Sequence, residues 1–302
     1  AVSRMPDGGA MTLPGLVVHQ FRAHQIAHQE FAGERAPLFP AMLAAIAEEA
    51  GITLETFGEA ARRTPAAAGR SVRTIAFYLP QFHPIPENDL WWGEGFTEWS
   101  NVVKAKPLFR SHDQPKLPAD LGFYDLRTPE TQEAQAALAR RFGVHGFCYY
   151  YYWFDGKKML NRPIEQMLES GKPDFPFCVC WANENWSRNW DGQNRHVLLA
   201  QSYSMDSNRA LIREFIRLMK DPRYIRHNGK PMLIVYRIRI IPNWIDTAAM
   251  WREECRAAGL GEIHLCAVRF GLEPLDGPPQ AFGLDAYALF PPHETVRVDK
   301  RG

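Results

Sequence analysis

Six short apolar runs recur after Val72, at 74–79, 144–153, 175–182, 231–236, 263–268 and 284–290. Most do not alternate with polar residues, the pattern of strands covered on both faces. Helical stretches fill the gaps. Thr128 and Pro129 open one that Gly143 closes, and Asn161 opens another, carrying Ile164, Met167 and Leu168, that stops at Gly171. Leu211, Ile212, Phe215 and Met219 make a third stripe; Trp244, Ala248, Trp251, Cys255 and Ala258 make a fourth, ended by Gly259. Strands alternating with helices imply a parallel sheet with helices outside it. No Gly-rich turn follows the first run, so a dinucleotide-binding open sheet has no support. Polar and aromatic residues follow successive runs instead, as at the mouth of a barrel. The expected fold class is α/β, a (β/α)8 TIM-like barrel. Six strands where eight are needed predict a barrel incomplete at the C-terminus of this chain.

Residues 1–70 read differently. Phe39, Met42, Leu43 and Ile46 have helical spacing, Thr53 can cap a second helix with Leu54 and Phe57, and residues 65–69 form an Ala-rich linker. The expected division is a helical appendage over 1–70 and a barrel over 71–302.

Composition excludes several classes. Hydrophobic residues make up 46% and charged residues 23% of the 302, so the chain is globular. The net charge of +1 gives no global field to attract nucleic acid or an anionic membrane. No apolar run nears the roughly 20 residues of a membrane span, and no basic stretch followed by an apolar one marks a secretion signal. Five cysteines fit no disulfide framework, and Cys148, Cys178 and Cys180 read as small buried hydrophobes. The cytoplasm is the expected compartment.

Seven of the nine Trp fall between Trp91 and Trp190, which picks out where to seek a site. Gln81 and His83 follow the first strand, and a long loop then carries Trp91, Trp92, Glu94, Glu98 and Trp99. Such length over a barrel mouth points to function. The second strand contains four consecutive tyrosines, Tyr149 to Tyr152, whose hydroxyls need partners; its end, at Trp153 and Asp155, is the better place for a ligand. The third strand runs into Trp181, Asn183, Glu184, Asn185 and Trp186, with Trp190 and Asp191 beyond. Carboxylates and amides among indole rings suit a sugar: flat aromatic faces cover its C–H face, and Asn, Glu and Asp bind its hydroxyls. Glu184 is a candidate acid, base or acceptor. His293 and Glu294 after the sixth strand fit the same mouth. His24 and His28, with no third ligand, read as a solvated helix face. No Asp-x-Asp pair occurs, which weighs against a metal-dependent nucleotide-sugar transferase.

The stretches 75–89, 92–99, 146–149 and 180–186 (CWANENW) resemble the WbsX family, also described as having a glycoside hydrolase family 99-like domain. The resemblance spans roughly residues 72–295. It implies a (β/α)8 barrel and an enzyme that acts on glycosidic bonds in O-antigen and other bacterial surface polysaccharides. The hydrolase relatives place a carboxylate pair in an Asn-Glu-Trp-x-Glu-Gly motif near the barrel's end. That motif is absent here, so the pair does not carry over, and Glu184 transfers only as a substrate-site residue.

The resulting expectation is an enzyme cleaving or transferring glycosyl units, with an oligosaccharide or polysaccharide substrate. No metal, cofactor, nucleic acid or membrane span is implied. Glu184, Glu98 and Asp191 are the candidate catalytic carboxylates. Tyr78, Gln81, His83, Trp91, Trp92, Glu94, Trp99, Tyr152, Trp153, Trp181, Asn183, Asn185 and Trp186 are candidate substrate contacts. The alternative is a non-catalytic glycan-binding or scaffold barrel that lacks the catalytic carboxylate pair.

Overall fold

Seven parallel strands lie side by side in the order in which the chain visits them. The computed structural model describes the backbone of residues 16–19 and residues 72–188, 193–271 and 274–289. Its strands are β1 (Leu16–His19), β2 (Arg73–Tyr78), β3 (Val144–Phe154), β4 (Lys157–Met159), β5 (Phe177–Trp181), β6 (Trp186–Arg188), β7 (Gln193–Leu199), β8 (Arg226–His227), β9 (Lys230–Val235), β10 (His264–Arg269) and β11 (Ala286–Leu289). The parallel sheet runs β1-β2-β3-β5-β9-β10-β11, while β4 and β8 add short antiparallel hairpins and β6 pairs only with β7. Helices are α1 (Pro86–Trp92), α2 (Glu98–Val102), α3 (Pro129–Arg141), α4 (Arg162–Ser170), α5 (Met205–Met219) and α6 (Trp244–Ala257).

The strand order never reverses. Right-handed crossovers then keep all connecting helices on one face, and the sheet curls around the other as in a barrel. A doubly wound sheet would need a reversal point. All six expected strands are present. Within the parallel sheet the unforeseen strand is β1, which pairs in parallel with β2 from within the segment expected to be helical. The other expectations on residues 1–70, including His24 and His28, lie outside the described residues, as do Trp190, Asp191, His293 and Glu294.

Alternation sorts β3 into two sets. Tyr151 faces the helices: its ring packs on Phe215 of α5 and its hydroxyl donates to Glu214 at 3.0 Å. Tyr78 does the same on β2, donating to Gln135 of α3 at 2.6 Å. On the inner face Phe77 stacks on Tyr150 at 5.2 Å, Tyr150 meets Tyr236 at 6.4 Å, and Tyr236 meets Phe270 at 5.3 Å, an aromatic belt across the concave side. Below it Cys148 and Cys178 lie in register on adjacent strands. All five cysteines are free and buried, and burial raises the thiols of Cys148, Cys180, Cys255 and Cys266.

Gly146 has a packing reason. A Cβ there would sit 2.5 Å from the Pro176 carbonyl oxygen and 2.8 Å from Ile225 Cδ1. The same carbonyl accepts the Phe147 N–H at 2.9 Å, so the close approach lets the segment before β5 dock on β3.

The four expected helices are present, and the two whose starts the sequence places begin there, with one difference in mechanism. Thr128 and Asn161 precede α3 and α4 but make no side-chain cap, and Pro in the first turn sets the start instead. Gly171 ends α4 in the left-handed conformation.

Candidate active site

All strands of the parallel sheet point the same way, so the residues after β2, β3, β5 and β9 gather on one rim. After β2, the Gln81 side-chain amide donates to the Tyr152 hydroxyl at 2.9 Å, and the Gln81 backbone carbonyl accepts the Glu98 backbone N–H at 3.3 Å. Glu98 is the first residue of α2 and is only 5% exposed. Thr97 and Ser100 close a capping box around it. Burial lifts the Tyr152 pKa, the Gln81 amide opposes the rise, and the Glu98 carboxylate adds to it. A phenol donor and a buried carboxylate thus stand together at the inner edge of the rim.

After β5 the backbone is tied to β9. The Asn183 amide donates to the Arg237 carbonyl at 2.7 Å and accepts the Arg237 N–H at 2.9 Å. Tyr203 donates to the Asn183 carbonyl. This staple sets Arg237 so that its guanidinium donates to Glu184 at 2.8 Å, with the carboxylate side chain 47% exposed. Asn185 accepts the Gln201 N–H at 2.7 Å and fixes the base of the β6–β7 hairpin.

An aromatic wall stands beside these groups. Trp186 is half-buried and takes the edges or faces of Trp91 at 5.8 Å, Tyr152 at 5.2 Å and Phe154 at 5.7 Å. The β2 loop reaches this wall because α1 is pinned by Lys157, whose ammonium lies 2.6 Å from Glu87.

The expected site therefore divides. Gln81, Glu98, Tyr152, Trp91 and Trp186 converge, and Glu184 follows β5 onto the same rim, where it holds Arg237. Trp92 is half-buried and packs on Phe96, and Glu94 is exposed on the same loop. Several expected sugar contacts are structural instead. Trp181 is fully buried between Trp251 and Tyr203, leaving no face for a ligand. Trp99 is 8% exposed, packs on Phe82 and donates its indole N–H to the Tyr124 carbonyl at 2.8 Å. Trp153 is 6% exposed, and Tyr78 is turned to the helix layer. Asn183 spends both ends of its side chain on backbone groups, whereas Asn185 gives its amide oxygen to the Gln201 N–H and is exposed. His83 is 1% exposed, and burial pulls its pKa down to about 4 against an opposing pull from Asp125. Asp191 lies outside the described residues.

Sequence reasoning missed Arg237 and Tyr236. Tyr236 ends the fourth apolar run and Arg237 directly follows it, where a barrel presents its chemistry, and that position was the available signal. Among the described residues no three His, Cys, Asp or Glu side chains gather as a metal site requires.

The fold and rim define a barrel-type α/β protein with an aromatic and carboxylate-lined mouth. The chain belongs to the family described as Glycosyltransferase WbsX, whose model matches residues 74–301. It is 52% identical over 219 residues to "Uncharacterized protein WxcX" of Xanthomonas campestris pv. campestris, in strain B100 and again in strain ATCC 33913. The match covers 72% of this chain and 31% of the relative, so the chain spans about a third of the length of these curated relatives. Among solved structures it is similar to the GH99 endo-alpha-mannosidase from Bacteroides thetaiotaomicron. The complex with BIS-TRIS-propane gives a TM-score of 0.45 and 17% identity, covering 71% of this chain and 57% of that one. A second structure of that enzyme gives 0.42 and 16%, covering 71% and 60%.

Proposed function

We propose that this chain is a carbohydrate-active enzyme that cleaves or transfers glycosyl units of a bacterial surface polysaccharide. The observation that carries the reading is the meeting of Trp91 and Trp186 on a rim that two carboxylates, Glu98 and Glu184, reach from different strand ends. An aromatic wall takes the C–H face of a sugar ring. Glu98, buried beside Tyr152, suits proton transfer, because a carboxyl group shielded from water responds strongly to its neighbours. Glu184, held by Arg237 and still open to solvent, suits binding of sugar hydroxyls.

The test is turnover by the full chain on surface polysaccharide fragments, with and without activated sugar donors. Reducing sugar released without a donor marks hydrolysis; donor-dependent product marks transfer. Glu98→Gln should lower kcat by about a hundredfold or more with KM nearly unchanged. Wild-type turnover in both Glu98→Gln and Glu184→Gln would remove the assignment. The ion pair that occupies Glu184 favours a second reading, glycan binding without catalysis; saturable binding with no turnover under any donor would select it.

A further inference from the structure

The crossover from β2 to β3 carries an exposed apolar tip inside a basic loop. Of the ten large hydrophobic side chains exposed among the described residues, five lie between Val103 and Phe123: Val103, Leu108, Phe109, Leu117 and Phe123. Leu108 is 84% and Phe109 65% exposed. The tip is ordered by its own contacts. His112 accepts the Leu108 N–H on Nδ1 at 3.1 Å, its backbone N–H donates to the Phe109 carbonyl at 3.1 Å, and its ring stacks on Phe109 at 4.6 Å. A built turn that directs its two largest apolar groups into water needs a reason beyond chain closure.

Charge supplies one. Lys104, Lys106, Arg110 and Lys116 flank the tip. Lys116 is paired with Asp113, whereas Lys104, Lys106 and Arg110 make no ion pair among the described residues. The near-zero net charge of the whole chain hides this local excess. The neighbouring acids are Asp113, already paired, and Asp120 at the far end of the loop. Cations around protruding Leu and Phe match a surface that is anionic at its face and apolar just beneath. No helix among the described residues is long and apolar enough to cross a membrane, so any contact with a bilayer through them is peripheral.

We propose that residues 104–117 dock this protein on an anionic lipid bilayer. Leu108 and Phe109 enter the headgroup boundary, and Lys104, Lys106 and Arg110 contact lipid phosphates. The loop sits at the strand C-terminal rim, so docking brings the mouth of the barrel toward the membrane. This inference does not depend on the sugar chemistry proposed above.

Flotation of the full chain with phosphatidylcholine vesicles, with and without phosphatidylglycerol, tests it. The protein should float only with the anionic vesicles, and added salt should release it. Each cation removed should weaken partitioning roughly fivefold, so K104E/K106E/R110E should lose it more than about a hundredfold. L108S/F109S should lose about tenfold or more. Thermal melts of the variants should match wild type, because the altered side chains pack on nothing in the core. Absence of wild-type flotation with anionic vesicles would overturn the proposal, as would equal flotation of all variants. A concentration-dependent dimer that F109S abolishes would give the patch to a second copy. Loss of soluble glycan binding in F109S, with flotation intact, would give it to a saccharide.

Discussion

Trp91 and Trp186 meet edge to face, ring centroids 5.8 Å apart and planes at 76°, although one leaves the sheet after β2 and the other after β5. The contact fastens the long first loop to the β6–β7 hairpin and fixes the wall of the mouth. Such pairs contribute about 0.5–1.5 kcal/mol beyond the area they bury. Trp91→Ala and Trp186→Ala should therefore couple by that amount in a double-mutant cycle measured by urea unfolding. Each single variant should cost about 1–3 kcal/mol, below a full core truncation because both rings are only half-buried. A coupling of zero would show that the rings do not act as a pair, and the wall would lose its physical basis.

The Asn183 staple and the Glu184–Arg237 ion pair are adjacent but should respond differently. Asn183→Ala removes both hydrogen bonds that a fully buried side chain makes to the Arg237 backbone, a loss of about 2–4 kcal/mol. Arg237→Met breaks an ion pair whose carboxylate is half-exposed, and solvent screening holds that loss to about 1 kcal/mol or less. We predict the reverse order for binding: Arg237→Met should weaken glycan affinity at least about tenfold, since it frees Glu184 from its set position. Calorimetric melts and glycan titration on the same variants separate the two effects. Unaltered affinity in Arg237→Met would place the pair outside the site.

Much of the fold was legible because strands covered on both faces write themselves as unbroken apolar runs. β1 escaped because its apolar part is only Leu16, Val17 and Val18, too short to stand out in a segment with helical spacing further on. The β6–β7 hairpin escaped because Trp186, Ser187 and Arg188 carry no strand period. The site was less legible for a specific reason. Counting Trp finds aromatic density but not which side of the sheet each ring takes. Trp181 lies in register with Tyr151, and both face the helices, whereas Cys180 and Tyr150 face inward. Following that parity to the strand ends assigns Trp181 to the core, a step the residue types alone do not supply.

Gly146 offers a test of the docking between β3 and the segment before β5. The atom that a Cβ would strike is a backbone carbonyl at 2.5 Å, not the end of a flexible side chain. Relief requires Pro176 to retreat, which stretches the hydrogen bond it accepts from Phe147. Gly146→Ala should destabilise the fold by about 2 kcal/mol or more, read as a lower urea midpoint. A neutral result would mean that the two segments can part without cost.

His83 gives the fold a pH dependence of definite sign. It is 1% exposed; burial holds its pKa at about 4, against an ordinary 6.5, while Asp125 and the Pro80 backbone pull the other way and Arg162 and Arg127 add to the fall. The folded chain therefore keeps the ring neutral where the unfolded chain takes up a proton. Stability is whole above about pH 6.5 and is lost as pH drops toward 4, by up to about 3 kcal/mol from this group. His264, held at about 4 by burial and by His227, adds a loss in the same direction. His83→Phe removes the first contribution and leaves the second. Its unfolding free energy should fall less than that of wild type between pH 6.5 and 4, with the two curves parallel above that window. Urea melts across the range read the difference. Curves that stay parallel throughout would mean that His83 is already protonated, or solvated, in the folded chain.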